Sequence, residues 1–141
     1  MRVLGIDYGM RRIGLALSDP TETIATPLDT LIRRRGKRAP LSKIESIAIE
    51  KGAEHLVIGL PLNLEGNETK WSEEVRAFGA SLSKRMNLQV SFVDERMTSV
   101  RAERTVRSIG LPKTKRENKA RIDAAAAQLI LQNWLDLRKH T

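Results

Sequence analysis

Three acids in this sequence sit where carboxylates can do chemistry. Asp7 follows the short apolar run of residues 3–6, Glu95 follows the apolar stretch of residues 89–93, and Asp123 precedes an alanine run at 124–127. The first two positions are the carboxyl ends of predicted strands, which is where open α/β sheets build their sites. If Asn118 caps the last helix, Asp123 lies in its second turn, in line with Ala127, Ile130 and Trp134 on the side that faces the sheet. Gathered carboxylates repel one another and are costly to bury unless a cation is present. A divalent ion with a preference for oxygen, Mg²⁺ or Mn²⁺, answers that need, and two such ions about 3.5–4 Å apart can activate water and stabilise the leaving oxygen of a phosphodiester.

Each acid also has a plainer reading. Asp7 can cap the Asp7-Tyr8-Gly9 turn, Glu95 can pair with Arg96, and Asp123 can serve the positive end of a helix dipole. Asp94 competes with Glu95, because neighbours on a strand point to opposite faces; Glu95 is preferred. Thr98 and Ser99 read as helix caps rather than nucleophiles, and His55 and His140 have no partner pattern.

The cations are clustered. Residues 33–38 hold five basic side chains and one glycine, and residues 113–121 form a second basic segment directly before Asp123. Both are expected as exposed loops. The chain has 25 Lys and Arg against 17 Asp and Glu, a formal charge of +8, so its field attracts polyanions. Arg33, Arg34, Arg35, Arg96, Lys119 and Arg121 are the candidates for contacting substrate phosphates, which position a nucleic acid without reading its sequence. Aromatic residues are only 4% of the chain, too few for a base-stacking platform once packing is served. The absence of cysteine excludes disulfides and thiolate metal sites. No run approaches the roughly 20 apolar residues of a membrane span. A cytoplasmic protein without a membrane partner is expected.

The elements that must position these groups can be read from patterning. Residues 3–6 and the alternating Ile13, Leu15 and Leu17 form a hairpin, and a third extended stretch at 25–32 contains Pro27, which places it at a sheet edge. A helix at 40–51 buries Leu41, Ile44 and Ala48 and ends at Gly52. A strand at 55–59 follows, then a helix whose Trp71, Val75, Phe78 and Leu82 share one core-facing stripe, then a fifth strand at 89–93. A helix capped by Ser99 and stopped by Gly110 and Pro112 precedes the last one. The order β-β-β-α-β-α-β-α-α predicts one domain over residues 1–141, with a mixed five-stranded sheet, a three-strand antiparallel meander plus two parallel strands, flanked by helices.

Taken in order, Gly5-Ile6-Asp7-Tyr8-Gly9 with Arg12-Ile13-Gly14-Leu15-Ala16, Gly59-Leu60-Pro61-Leu62-Asn63 with Gly66, Asp94-Glu95-Arg96-Met97-Thr98-Ser99, and Asn118-Lys119-Ala120-Arg121-Ile122-Asp123 resemble the YqgF/RuvX family across nearly the whole chain. The resemblance implies an RNase H-like fold related to RuvC-type Holliday-junction resolvases. It also implies a nuclease that matures the 5′ end of pre-16S rRNA in ribosome biogenesis, with Asp7, Glu95 and Asp123 as catalytic acids. Met10 departs from the family, which commonly has a small hydroxyl residue there. The same fold and field would serve resolution of branched DNA, or a non-catalytic module that binds RNA or ribosomal precursor particles. Nothing in the sequence signals a coiled coil or other strong dimer device, so a monomer or weak homodimer is expected. The opening Asp-x-Gly hairpin also resembles the phosphate loop of sugar kinases and Hsp70-type ATPases, but those need two such domains and this chain is too short.

Overall fold

The computed structural model describes residues 1–33, 38–97 and 115–139. Its centre is a mixed sheet built from β1 (Arg2–Tyr8), β2 (Arg12–Ser18), β3 (Ala25–Pro27), β4 (Leu31–Ile32), β5 (Ala53–Leu60) and β6 (Gln89–Asp94). The order is β3-β2-β1-β5-β6, with β4 also paired to β2. The first strands run antiparallel, with Asp7 opposite Gly14, whereas β5 and β6 are parallel to β1. This is the predicted mixed sheet, an antiparallel meander joined to two parallel crossovers.

Two expectations change in detail. The extended stretch at 25–32 divides into β3 and β4, both on β2. Pro27 has no N–H to donate, and after Leu28 donates to the Leu15 carbonyl at 2.8 Å the chain lifts away through the exposed Asp29 before pairing again at Leu31. The last helix, α3 (Lys115–Lys139), begins before Asn118, which is therefore inside it rather than its cap. Lys and Arg are good helix formers, so this part of the second basic segment extends the helix instead of forming a loop. The helix expected between Ser99 and Gly110, and His140, lie outside the described residues.

Helices α1 (Leu41–Lys51) and α2 (Lys70–Met86) cover one sheet face. There Ile44, Ala48, Val75, Phe78 and Leu82 meet Leu4, Ile6, Ile13, Leu15, Leu56 and Ile58. Gly52 closes α1 in the left-handed region at φ 71°, as its position predicts. Thr69 and Ser72 form a reciprocal capping box at the start of α2, a signal the apolar stripe did not reveal. Ser72, fully buried, also donates its hydroxyl to the Pro61 carbonyl, tying the helix to the end of β5.

The opposite face is covered by α3 and is built from smaller groups. Val3, Ala16, Val57 and Val93 pack against Ala126, Ala127, Ile130, Leu131 and Leu135. Glycines let the helix sit low: a Cβ at Gly5 would stand 2.7 Å from the Leu131 Cβ, and one at Gly14 would overlap the Asp123 carbonyl. Gln128 and Gln132 bind the helix to the edge, Gln132 accepting from the Ala25 amide at 2.9 Å and Gln128 donating to the Ala25 carbonyl at 3.0 Å. Among the described residues no helix is long and apolar enough to cross a membrane.

Two measurements test this face. Gly14→Ala must push α3 off the sheet, and its unfolding free energy in urea should fall by about 1–3 kcal/mol. His55 lies buried on the same face, 2.8 Å from the Ser91 hydroxyl and stacked on Trp134 with ring centroids 5.0 Å apart. Burial holds its imidazole below the ordinary pKa, the Arg138 charge adds to this, and Glu22 opposes it. The folded state thus favours neutral His55, whose contribution is fully present above the unfolded pKa of about 6.5 and is lost as pH falls toward the lower folded value. Thermal melts should show this decline in the wild type and a smaller decline in His55→Gln; equal slopes would remove His55 as the cause.

Candidate nuclease site

Asp7 sits at the end of the central strand and is only 4% exposed. Alternation along β1 sends Val3, Gly5 and Asp7 toward α3, and Leu4, Ile6 and Tyr8 toward α1 and α2. The neighbours of Asp7 on both sides are glycines. Gly14 is its partner on β2, and continuing the β1–β5 register one step beyond Ile6–Ile58 places Gly59 beside it. Those two bare positions are filled from above. The Asp123 backbone lies over Gly14, and Glu95 lies over Gly59, where a Cβ would meet its Oε1 at 2.8 Å and the Ile130 Cδ1 at 2.5 Å.

The three predicted acids thus occupy one face and one end of the sheet, supplied by β1, by a single 3₁₀ turn after β6 (Glu95–Met97), and by α3. Glu95 is 7% exposed and Asp123 is half-buried, and none of the three carboxylates is without a polar partner. Among the described residues no three carboxylate or imidazole side chains are drawn together closely enough to share one ion. The donor chemistry fits a hard divalent cation, being all oxygen and largely buried.

Asp94 is placed differently. It follows Val90 and Phe92 on β6, the residues that pack toward α1 and α2, and its carboxylate is engaged by Arg96. Arg96 donates from its amide at 2.9 Å and from its guanidinium at 3.3 and 2.9 Å, a forked clamp across the turn. The same guanidinium lies on Gly66, a left-handed residue at φ 88° in the loop after β5, so that a Cβ there would stand 2.9 Å from it. Asn63 shapes this loop by accepting from the Glu65 and Asn67 amides at 3.1 and 2.9 Å. Arg96 therefore sits at the site end of the sheet, held by its own turn.

Of the other predicted phosphate contacts, Arg33 continues the pairing of β4 by donating its amide to the Arg11 carbonyl at 2.7 Å. Its guanidinium packs 5.1 Å from the Tyr8 ring centroid, on the face opposite Asp7. Tyr8 stacks on Phe78 and Trp71, and burial raises its hydroxyl above the ordinary pKa while the Arg33 charge opposes that rise. Arg34 and Arg35 lie outside the described residues, and Lys119 and Arg121 are on the first turns of α3. Patterning alone did not single out Gly14 and Gly59, the residues that make room for the acids. Each shares a cross-strand row with Asp7, a relation that only the strand order supplies.

Comparison with known proteins agrees with this architecture. A relative from Maridesulfovibrio salexigens is 41% identical over 135 residues, covering 96% of this chain and 98% of its own. One from Moorella thermoacetica is 42% identical over 136 residues, covering 96% and 95%. Both carry the name "Putative pre-16S rRNA nuclease". Among solved structures, Thermus thermophilus RuvC in complex with Holliday junction substrate superposes with a TM-score of 0.59 at 18% identity, covering 100% of this chain and 97% of that one. The fowlpox virus resolvase in complex with Holliday junction DNA gives 0.57 at 8% identity, covering 98% and 99%. These two likenesses show the RNase H-like fold. Residues 1–137 match the RuvX family, described as Holliday junction resolvase, and the chain belongs to that family.

Proposed function

We propose that the chain is a divalent-metal-dependent endonuclease whose substrate is the 5′ region of pre-16S rRNA. The observation that carries the reading is that Glu95 and the Asp123 backbone lie over the two glycines flanking Asp7 in one Gly14-Asp7-Gly59 row, at the carboxyl ends of β1 and β5. The names of the relatives supply the RNA substrate. Asp7, Glu95 and Asp123 would hold Mg²⁺ or Mn²⁺, with the backbones in place and side-chain rotation needed to close the set. When bound, the metal supplies charge neutralisation at the phosphodiester and activation of water. Asp7 is the donor least able to do anything else, because it is fixed at a strand end and screened from solvent. Arg96, braced by Asp94 and Gly66, is the described cation best placed to meet a phosphate beside Glu95.

The family's description favours a second reading, cleavage of branched DNA, which the same acids would serve. Such a resolvase would need a second copy of the chain to nick two strands. A purified protein incubated with precursor rRNA or with a four-way junction distinguishes them by product. Cleavage should require Mg²⁺ or Mn²⁺ and fall by at least about 100-fold in Asp7→Asn, a change that keeps the shape and removes the charge. Undiminished cleavage by Asp7→Asn would sink the assignment, and salt-sensitive RNA binding without any metal-dependent product would favour a binding module. In a separate measurement, Mg²⁺ should raise the melting temperature of the wild type, because ligand binding to the native state stabilises it, and should not raise that of Asp7→Asn.

A further inference from the structure

The rim beside the acids, at the tip of the β1–β2 hairpin, has no role in the reading above. Gly9 closes that tip by donating to the Arg12 carbonyl at 2.9 Å, and Arg33 secures it from the side through the Arg11 carbonyl. The tip is therefore a braced structure, yet it exposes Met10 to 68% and Arg11 beside it. Next to it Arg12 pairs with Ile32, which is 77% exposed although its neighbour Leu31 is buried in the core.

Alternation fixes where these side chains point. Leu31 and Ile13 belong to the cluster under α1 and α2, so Arg12 and Ile32 face the other way, toward the side that carries Gly14, Asp7 and Asp123. Arg12 is two residues before Gly14 on the same strand face, hence immediately outside the acids. What distinguishes the cations of the tip is their place beside the acids together with the lack of a carboxylate partner among the described residues. Arg76, Arg85, Arg96 and Arg138 are each paired with a carboxylate, and Arg33 is spent on Tyr8. Among the described residues Arg11 and Arg12 have no acid partner.

Resting on the nuclease reading, we propose that this rim is the strand-binding edge of the site: Arg11 and Arg12 hold consecutive phosphates, while Met10 and Ile32 lie against bases unstacked next to the scissile linkage. Two bare cations fit the polyanionic backbone, and a large apolar side chain kept in water on a braced tip suits insertion at a base step, as in proteins that wedge Met or Ile between bases. The occupant is a single-stranded or locally opened nucleic acid, because a wedge into a closed duplex must first unstack a base step, a cost that an already open strand does not carry.

Binding can be read apart from cleavage by fluorescence anisotropy on an Asp7→Asn background, using a labelled single-stranded RNA and a blunt duplex of the same sequence. Arg12→Gln and Arg11→Gln should each reduce the slope of log K against log salt by about 0.7 on the single strand, and Arg12→Lys should retain it. Met10→Ser and Ile32→Ser, both on exposed positions, should weaken single-strand binding by about tenfold and leave duplex binding nearly unchanged. Parental affinity and slope in all the neutralised variants would overturn the proposal, and equal losses on strand and duplex from Met10→Ser and Ile32→Ser would overturn its base contact. If instead these losses appear but the protein with Asp7 intact cleaves neither RNA nor junction, the strand-binding edge stands and the nuclease reading falls.

Discussion

The close seating of α3 on the sheet is the interaction on which the site depends. Asp7 lies at the end of the central strand, and its side chain points into the layer that α3 covers. An ordinary helix–sheet separation would leave that carboxylate in a gap, solvated and distant from Asp123. Gly5 and Gly14 beneath the helix, and Ala124, Ala126 and Ala127 upon it, remove the side-chain bulk that would otherwise set the spacing. The same contact that packs the core therefore fixes two of the three acids. Burying a carboxylate in this layer costs desolvation that an apolar residue would not incur. A fold selected only for stability would not place acids along this row.

The two faces of the sheet consequently have different tasks. Under α1 and α2 the strands present Leu, Ile and Tyr, which fill a thick apolar layer and hold the strands in register. Under α3 they present Gly, Ala, Val, Ser18, His55 and Asp7, a thinner layer in which polar groups are accommodated. Ser18 accepts from the Val3 amide at 2.8 Å and His55 meets Ser91, so these groups have partners that consume little space. The connection from β2 to β3 is tightened in the same spirit: Asp19 accepts from the Thr21 hydroxyl and from the Ile24 and Thr23 amides at 2.9 and 2.7 Å, bonds that hold its carboxyl well below the usual range. The bulky face supplies the anchor, which lets the small face be shaped for chemistry.

Much of this was legible in the sequence because its signals are local. Alternation in β1 and β2, the stripe on α2 and the Gly52 stop each follow from residues within a few positions of one another. Pro27 marked an edge for a reason that holds wherever the strand lies. Less legible was the split of residues 25–32, because whether a short extended segment stays paired depends on its partner's length as much as on its own residues. The start of α3 was misplaced because Asn118 is a good cap by type, whereas the continuing Lys and Arg residues favour helix. At the site, the three acids could be nominated one by one, but nothing local relates Gly59 to Glu95 or Gly14 to Asp123. Those juxtapositions are products of strand order.

The choice between Asp94 and Glu95 shows how strand order turns a local ambiguity into a division of labour. Had β6 ended one residue later in regular alternation, Glu95 would point into the layer shared with Val93's face and Asp94 would remain on the other. The strand in fact stops at Asp94 and a 3₁₀ turn begins, which keeps Glu95 on that same side, over Gly59, and brings Arg96 back onto Asp94. The Asp94–Arg96 fork is about one-quarter to one-third exposed, so its value lies less in net stability than in fixing the turn. Gly66 completes the arrangement by offering a surface without a side chain against which the guanidinium rests. Asp94 thus orients, Arg96 remains as a held cation, and Glu95 is left facing the row of Asp7. Two adjacent acids of nearly identical chemistry acquire different work through the end of a single strand.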